Sequence, residues 1–234
     1  MPISIKKACD LAGTYRNQTV CLDAGQAFSP SHRVLKRGFD VCLAILCLLA
    51  FSPLLLGGAL AIWLTDGGPV IYRHRRIGRN GVSFDCLKLR TMVRDSDRAL
   101  AAHLSRSPAA CAEWAANRKL RDDPRVLGKV GRVLRRASLD ELPQLFNVLR
   151  GEMSFVGPRP IVSEELEYYG VQSRWYLSVR PGVTGPWQVG GRSDTSYATR
   201  VRLDVEYART PSLWRDMSIL LQTPRLFFVG KGAY

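Results

Sequence analysis

Two adjacent acids carry the strongest chemical signal in the chain. Asp140 and Glu141 stand in the stretch RRASLDELPQL, residues 135–145. Arg135 and Arg136 lie close by in sequence, as a phosphate site requires. Ser138 with Glu141 three residues on is also a capping-box pattern, so a purely structural reading stands beside the chemical one: Glu141 reaches back to cap a helix. In a first helical turn the dipole keeps Asp140 ionised. Consecutive helical residues point in different directions, which gives the two acids different tasks.

Other stretches add candidate phosphate and nucleotide ligands. In GEMSFVGPRP, residues 151–160, Arg159 lies between two prolines. A guanidinium on so stiff a backbone clamps phosphate at little ordering cost. The stretch VRPGVTGPWQ, residues 179–188, continues to Gly191 and Arg192. Its glycines with Arg180, Gln188 and Arg192 suit a nucleotide or sugar pocket; an ordinary Gly/Pro loop is the alternative. From Phe84 to Arg90 the pattern alternates, so Lys88 and Arg90 share a strand face. Such a face binds phosphate or is simply solvated.

These residues need elements to position them. The chain has 234 residues with 34 Lys and Arg against 20 Asp and Glu, a net charge of +14, and 46% apolar residues. That surplus calls for an anionic partner: nucleic acid, anionic lipid or a phosphorylated substrate. A mean hydropathy of −0.07 excludes a polytopic membrane protein. The cysteines (Cys9, Cys21, Cys42, Cys47, Cys86 and Cys111) show no CxxC spacing, which reads as reduced thiols facing the cytoplasm. His32, His74 and His103 are too scattered for a zinc site.

From Val41 to Leu64 the chain carries no charge, enough for a membrane helix of about 20 residues. The long polar stretch before it excludes a signal peptide. Ser52 and Pro53 stand at the middle, and Pro53 removes a backbone donor. Arg33, Lys36 and Arg37 precede the run; Arg73, Arg75, Arg76 and Arg79 follow it. Positive flanks prefer the cytoplasmic side, which favours a hairpin that enters and leaves the same face. A kinked spanning helix is the other solution. The organisation read from these features is a polar tail at 1–33, a membrane segment at 34–65 and a polar body at 66–234.

Within the body, Asn80-Gly81 predicts a β-hairpin. Short surface helices are expected around Leu100 and Trp114, with Pro108 between them. Residues 200–229 show helical spacing with Val201, Val205, Trp214, Ile219 and Leu220 on an apolar face. Trp187, Trp214, Phe227 and Phe228 suit either the headgroup level or a core.

Taken in order, Lys36-Arg37-x-x-Asp40, Ser52-Pro53, KLRTM at 88–92, Asp123-Pro124-Arg125, SLDELPQL, MSFVGPRP, RPGVTGPWQ and Trp214-x-Asp216 resemble one family. It is the bacterial sugar transferase family, the monotopic polyprenyl-phosphate sugar-1-phosphate transferases. The resemblance spans Val34 to about Thr223 and is to the short, exopolysaccharide-type form without a four-helix amino-terminal extension.

The resemblance implies an α/β, mostly α, monotopic protein. It would have a re-entrant helix-break-helix hairpin, a small cytoplasmic catalytic domain with a short β-hairpin, and amphipathic interfacial helices. It implies transfer of a sugar-1-phosphate from a UDP-sugar to undecaprenyl phosphate with release of UMP. Asp140 would be the nucleophile of a phosphosugar-aspartyl intermediate, with Glu141 orienting it or the metal. Both acids would hold Mg²⁺. Lys88, Arg90, Arg125 and Arg159 would bind phosphate; Arg180, Gln188 and Arg192 would meet the nucleotide or sugar. Lys36, Arg37, Asp40, Ser52 and Pro53 would set the hairpin at the headgroups. The implied location is the cytoplasmic face of the bacterial inner membrane, among its lipids. A nucleic-acid-binding protein fits the charge, but the uncharged run and the lack of a binding module speak against it. A non-catalytic adaptor is disfavoured by the intact acid pair.

Overall fold

The computed structural model describes residues 30–117, 120–190 and 196–224. Helix α1 (Pro30–Asp66) is followed by strands β1 (Ile71–Ile77) and β2 (Ser83–Leu89) and helices α2 (Ser96–Arg106), α3 (Pro108–Asn117) and α4 (Gly128–Arg136). A 3₁₀ turn at Leu139–Glu141 leads into α5 (Gln144–Arg150) and β3 (Ser154–Val156). After a 3₁₀ segment at Ser163–Gln172 come α6 (Ser173–Ser178), β4 (Gly182–Thr184), α7 (Pro186–Val189), α8 (Tyr197–Arg209) and α9 (Leu213–Gln222). The mostly helical body with small sheets agrees with the sequence.

The most apolar 18 residues of helix α1 have a mean hydropathy of 2.4, and only 11% of them are buried. Leu46, Leu49, Leu56 and Leu64 are all exposed. A soluble protein does not leave so long an apolar face uncovered, whereas a bilayer covers it. The expected break at Ser52-Pro53 does not interrupt the helix, which stays helical on both sides of Pro53. A membrane-type helix tolerates the missing donor because its other backbone bonds hold.

The chain divides into two compact units. Among the described residues the larger is built from those up to Leu49, from Arg73–Leu87 and from those after Pro143. Its core gathers Ile161, Tyr169, Tyr176, Val201 and Val205. Strands β3 and β4 run parallel, pairing Ser154 with Gly182 and Val156 with Thr184. The two glycine-bearing motifs are thereby laid against each other. A Cβ on Gly182 would come within 2.2 Å of the Gly157 nitrogen, and one on Gly185 within 2.2 Å of the Gly157 oxygen. Close approach by these glycines serves the backbone itself rather than a nucleotide.

The start of α1 is bound into this unit. Lys36 Nζ donates to Asp216 at 2.6 Å. Arg37 donates to the carbonyls of Val148 and Leu149 at 2.6 and 2.8 Å. Asp40, almost wholly buried, accepts from the Phe155 N–H at 3.1 Å. The family motif Lys-Arg-x-x-Asp thus anchors the helix to protein. Buried Asn147 accepts from the Leu87 N–H at 3.0 Å and donates to the Asp85 carbonyl at 2.8 Å, tying β2 to α5.

Among the described residues the smaller unit comprises Ala50–Tyr72 and Lys88–Pro143. Its core packs Ile62 of α1 against Leu89, Leu127 and Leu134. The expected hairpin forms, with Asn80 and Gly81 at φ of 57° and 76°. Helices α2 and α3 lie where Leu100 and Trp114 placed them. Val201, Val205 and Ile219 are core residues, as is Trp187, whereas Trp214 is 83% exposed. Phe227 and Phe228 lie outside the described residues.

Candidate functional site

The acid pair sits in the smaller unit on the 3₁₀ turn after α4. No helix cap forms there: Ser138 has φ 53° and ψ 21°, and its side chain makes no capping bond. This corrects the capping-box reading. A capping serine needs an extended backbone, and Ser138 is in the left-handed region, uncommon for a residue with a Cβ. Glu141 instead accepts from Lys88 Nζ at 2.6 Å. A charge-assisted bond to an ammonium outcompetes a neutral one to the backbone.

The electrostatics also differ from expectation. The Asp140 carboxyl is pushed up to about 6, first by burial and then by the Glu141 charge, against the pull of Lys88 and Arg135. A single 3₁₀ turn carries too little dipole to offset burial beside a second acid. A raised carboxyl flanked by an acid and two cations is the pattern of a working group. A divalent cation between the acids would relieve the same repulsion, and two carboxylates are the usual protein share of a Mg²⁺ shell completed by phosphate and water. Among the described residues no group of three or more His, Cys, Asp or Glu could hold a metal, so any cation here takes other ligands from substrate and solvent.

Lys88 is the one strand cation that reaches the acids. Arg90 is buried and serves the turn after α1, pairing with Asp66 and donating to the Gly67 carbonyl at 2.5 Å. Arg125 forms a two-point pair with Asp123, at 2.9 and 2.6 Å, and lies 4.9 Å from the Trp114 ring centre. Both guanidinium groups are therefore engaged in holding loops.

The remaining candidates belong to the larger unit. Arg159 is exposed, lies 5.7 Å from the Trp187 ring centre, and shares that ring with Arg200 at 4.6 Å. Among the described residues it makes no ion pair. Gln188 donates to the Val183 carbonyl at 3.0 Å, and its own oxygen is buried without a hydrogen bond among the described residues. Arg180 donates from Nε to the Gly151 carbonyl at 2.8 Å. Arg192 lies outside the described residues.

Sequence reasoning missed Asp204. It is 1% exposed, accepts from the Tyr169 hydroxyl at 2.8 Å, and is raised to about 7 by burial, against Tyr169 and Arg159. The signal was present: Asp204 falls between Val201 and Val205 on the inward face of α8. It also missed that Asp66 is the partner of Arg90, for which local sequence holds no sign.

A family model described as "Bacterial sugar transferase" matches residues 31–230. The chain is 51% identical over 208 residues to the exopolysaccharide production protein ExoY of Sinorhizobium fredii, covering 89% of this chain and 92% of that one. It is 49% identical to an undecaprenyl-phosphate galactose phosphotransferase of Salmonella typhimurium, over 87% of this chain and 42% of the longer relative. It is 42% identical to a UDP-glucose:undecaprenyl-phosphate glucose-1-phosphate transferase of Caulobacter vibrioides, over 85% of this chain and 72% of the relative.

Proposed function

Because the chain belongs to the bacterial sugar transferase family, we propose that it transfers a sugar-1-phosphate from a UDP-sugar to undecaprenyl phosphate, releasing UMP, as the first membrane step of exopolysaccharide or related glycan synthesis. The observation that carries this reading is the placing of Asp140 beside Glu141, with Lys88 Nζ on Glu141 at 2.6 Å. Relatives named for galactose- and glucose-phosphate transfer to undecaprenyl phosphate support the substrate classes.

In the first step a carboxylate oxygen of Asp140 attacks the sugar-proximal phosphorus. The bond from that phosphorus to UMP breaks, and UMP leaves with the electron pair. In the second step an oxygen of the polyprenyl phosphate attacks the same phosphorus, and the bond to Asp140 breaks, restoring the carboxylate. Desolvation strengthens the nucleophile, and Lys88 holds Glu141 in place beside it. Asp140 and Glu141 would hold Mg²⁺, which when bound neutralises diphosphate charge. Arg159, free of ion pairs among the described residues and steadied by its flanking prolines and Trp187, is assigned to a phosphate.

The reading places the protein on the cytoplasmic face of the bacterial inner membrane with α1 re-entrant. Support comes from connectivity. Lys36, Arg37 and Asp40, before the apolar run, are bound by residues between Val148 and Asp216. Those residues follow Asp66, and among the described residues no second helix is long and apolar enough to cross. This connectivity supports a re-entrant course, which would turn at Ser52-Pro53. On α9, Trp214, Met217 and Leu221 are exposed at helical spacing, which suits contact with the interface.

The test is UMP release from UDP-glucose and UDP-galactose by membranes supplied with undecaprenyl phosphate and Mg²⁺. Asp140→Asn should abolish release, and mass spectrometry of the wild type trapped without acceptor should find a hexose-phosphate adduct on Asp140. Undiminished release by the variant defeats the assignment.

A further inference from the structure

A cavity of about 30 Å³ in the larger unit is lined by Arg33, Lys36, Arg79 and Arg180, with Val156 and Tyr207 among its walls. None of these residues belongs to the unit that carries Asp140. Arg33 and Lys36 come one turn apart on α1, Arg79 from the β1–β2 turn and Arg180 from the loop before β4. Four cationic residues from three separate elements line one small space, and Lys36 among them is already paired with Asp216.

The acids nearby are already committed. Asp216 accepts from Lys36 on one oxygen and from the Tyr207 hydroxyl on the other, each at 2.6 Å. Asp40 accepts from a backbone N–H. Among the described residues Arg33 and Arg79 have no ion pair, and Arg79 Nε is buried without a hydrogen-bond partner. Burial, then Arg79 and Arg37, draw the Arg180 guanidinium down from its ordinary value, against the pull of Asp40. Such a cluster repels itself unless an anion from outside completes it.

Size and position narrow the anion. The space exceeds the ~10–15 Å³ that one water needs but is far below the ~300 Å³ of a pocket that takes a whole small-molecule ligand. It suits a phosphate group and not a nucleotide or sugar. Arg33 and Lys36 stand just before the apolar run of α1, where Val34 is 73% exposed. In a bilayer that is the level of the headgroup phosphates, where each nearby cation is attracted to anionic lipid.

We infer that this cavity binds the headgroup phosphate of an anionic membrane phospholipid, held as a resident lipid and not consumed. The inference rests on α1 lying in the membrane. The shared chemistry is a phosphate oxyanion on forked guanidinium donors, so the test separates its sources.

Purified full-length protein is mixed with vesicles of phosphatidylcholine alone or with added phosphatidylglycerol, then recovered in detergent for native mass spectrometry. Wild type should float with both vesicles and retain one phosphatidylglycerol per chain, undisplaced by excess inorganic phosphate. Arg33→Gln with Arg79→Gln should float equally with neutral vesicles but hold phosphatidylglycerol about tenfold less tightly. Arg79→Lys, which keeps the charge, should retain it; Arg33→Gln alone, at an exposed helix position, gives the same comparison should the double variant fold poorly. Equal retention by wild type and the Gln variants overturns the inference. So does displacement by inorganic phosphate, or retention of undecaprenyl phosphate alone. Failure of the wild type to float with neutral vesicles would instead remove the membrane reading.

Discussion

Asp216 is buried and Asp140 half-buried, each a carboxylate close to a lysine, yet the molecule treats them in opposite ways. Asp216 is 1% exposed and fully answered: Lys36 and Tyr207 each donate to it at 2.6 Å. Asp140 lies beside another acid, and the nearest lysine is given to that neighbour instead. The turn that presents it begins at a serine with left-handed backbone. One acid fastens the membrane helix to the larger unit; the other is held in an unfavourable state that reaction or a cation would relieve. The paired charge serves architecture here, and the unrelieved one is where the proposed chemistry falls.

The sharpest way to break this comparison is to neutralise each acid in turn. Asp140→Asn should lower UMP release by at least ~10³-fold, the scale of losing a nucleophile. It should also raise stability by about 1 kcal/mol, because a half-buried, partly screened charge beside Glu141 is gone. Asp216→Asn should do the reverse. Removing one partner of a buried pair strands Lys36 and costs about 3–5 kcal/mol, while the acid pair of the other unit keeps its own residues. Thermal unfolding in detergent, read alongside turnover per folded molecule, checks both. Equal stability losses in the two variants would erase the distinction.

A smaller effect is expected at Lys88. Its charge pulls the Asp140 carboxyl down, so Lys88→Met should move that group further up. The acid limb of the rate profile should shift to higher pH, with turnover near neutrality reduced roughly 10²-fold. A uniform loss at every pH would mean that Lys88 binds substrate without tuning the acid.

Much of the site was legible because its residues are close in sequence. Asp140 and Glu141 are adjacent, the glycines at 157, 182 and 185 fall in short motifs, and Asn80-Gly81 writes its own turn. Long-range choices were not legible. Lys88 and Arg90 looked equivalent on one strand face, but the fold sends the first to Glu141 and the second to Asp66. Arg125 looked available, and a carboxylate two residues earlier occupies it. The cap at Ser138 failed because the pattern Ser-x-x-Glu says nothing about the φ that packing will impose. Asp204 went unseen because an acid on an inward helix face is disfavoured unless a distant hydroxyl, here from Tyr169, receives it.

The pH dependence of stability sharpens the comparison further. The folded protein holds the Asp140 proton to about 6, whereas the unfolded chain releases it near 3.8. Between those values the folded state binds more protons, so this group's contribution falls as pH rises from about 4 to 6 and is level above. Asp204, raised to about 7, slopes in the same direction over a wider window. Without divalent cation, the melting temperature of wild type minus that of Asp140→Asn should decline across pH 4 to 6 and then stay flat. A rising difference would mean that the cations around Asp140 outweigh burial and its acidic neighbour.

The smallest expected effect tests the strain itself. Ser138 occupies a backbone conformation that a Cβ disfavours by about 1–2 kcal/mol, and glycine is spared that cost. Ser138→Gly should therefore stabilise the protein, by about 1 kcal/mol after the extra freedom glycine gains in the unfolded chain. If strain merely accompanies the site, turnover is unchanged. If the stiff turn holds Asp140 against Glu141, the looser glycine lets the acids part, and the pH at which activity appears should fall with the repulsion. A variant that is both more stable and active from lower pH would tie the left-handed residue to the acid it presents. No gain in stability would show that the surrounding turn, and not the Cβ, sets the energy of this conformation.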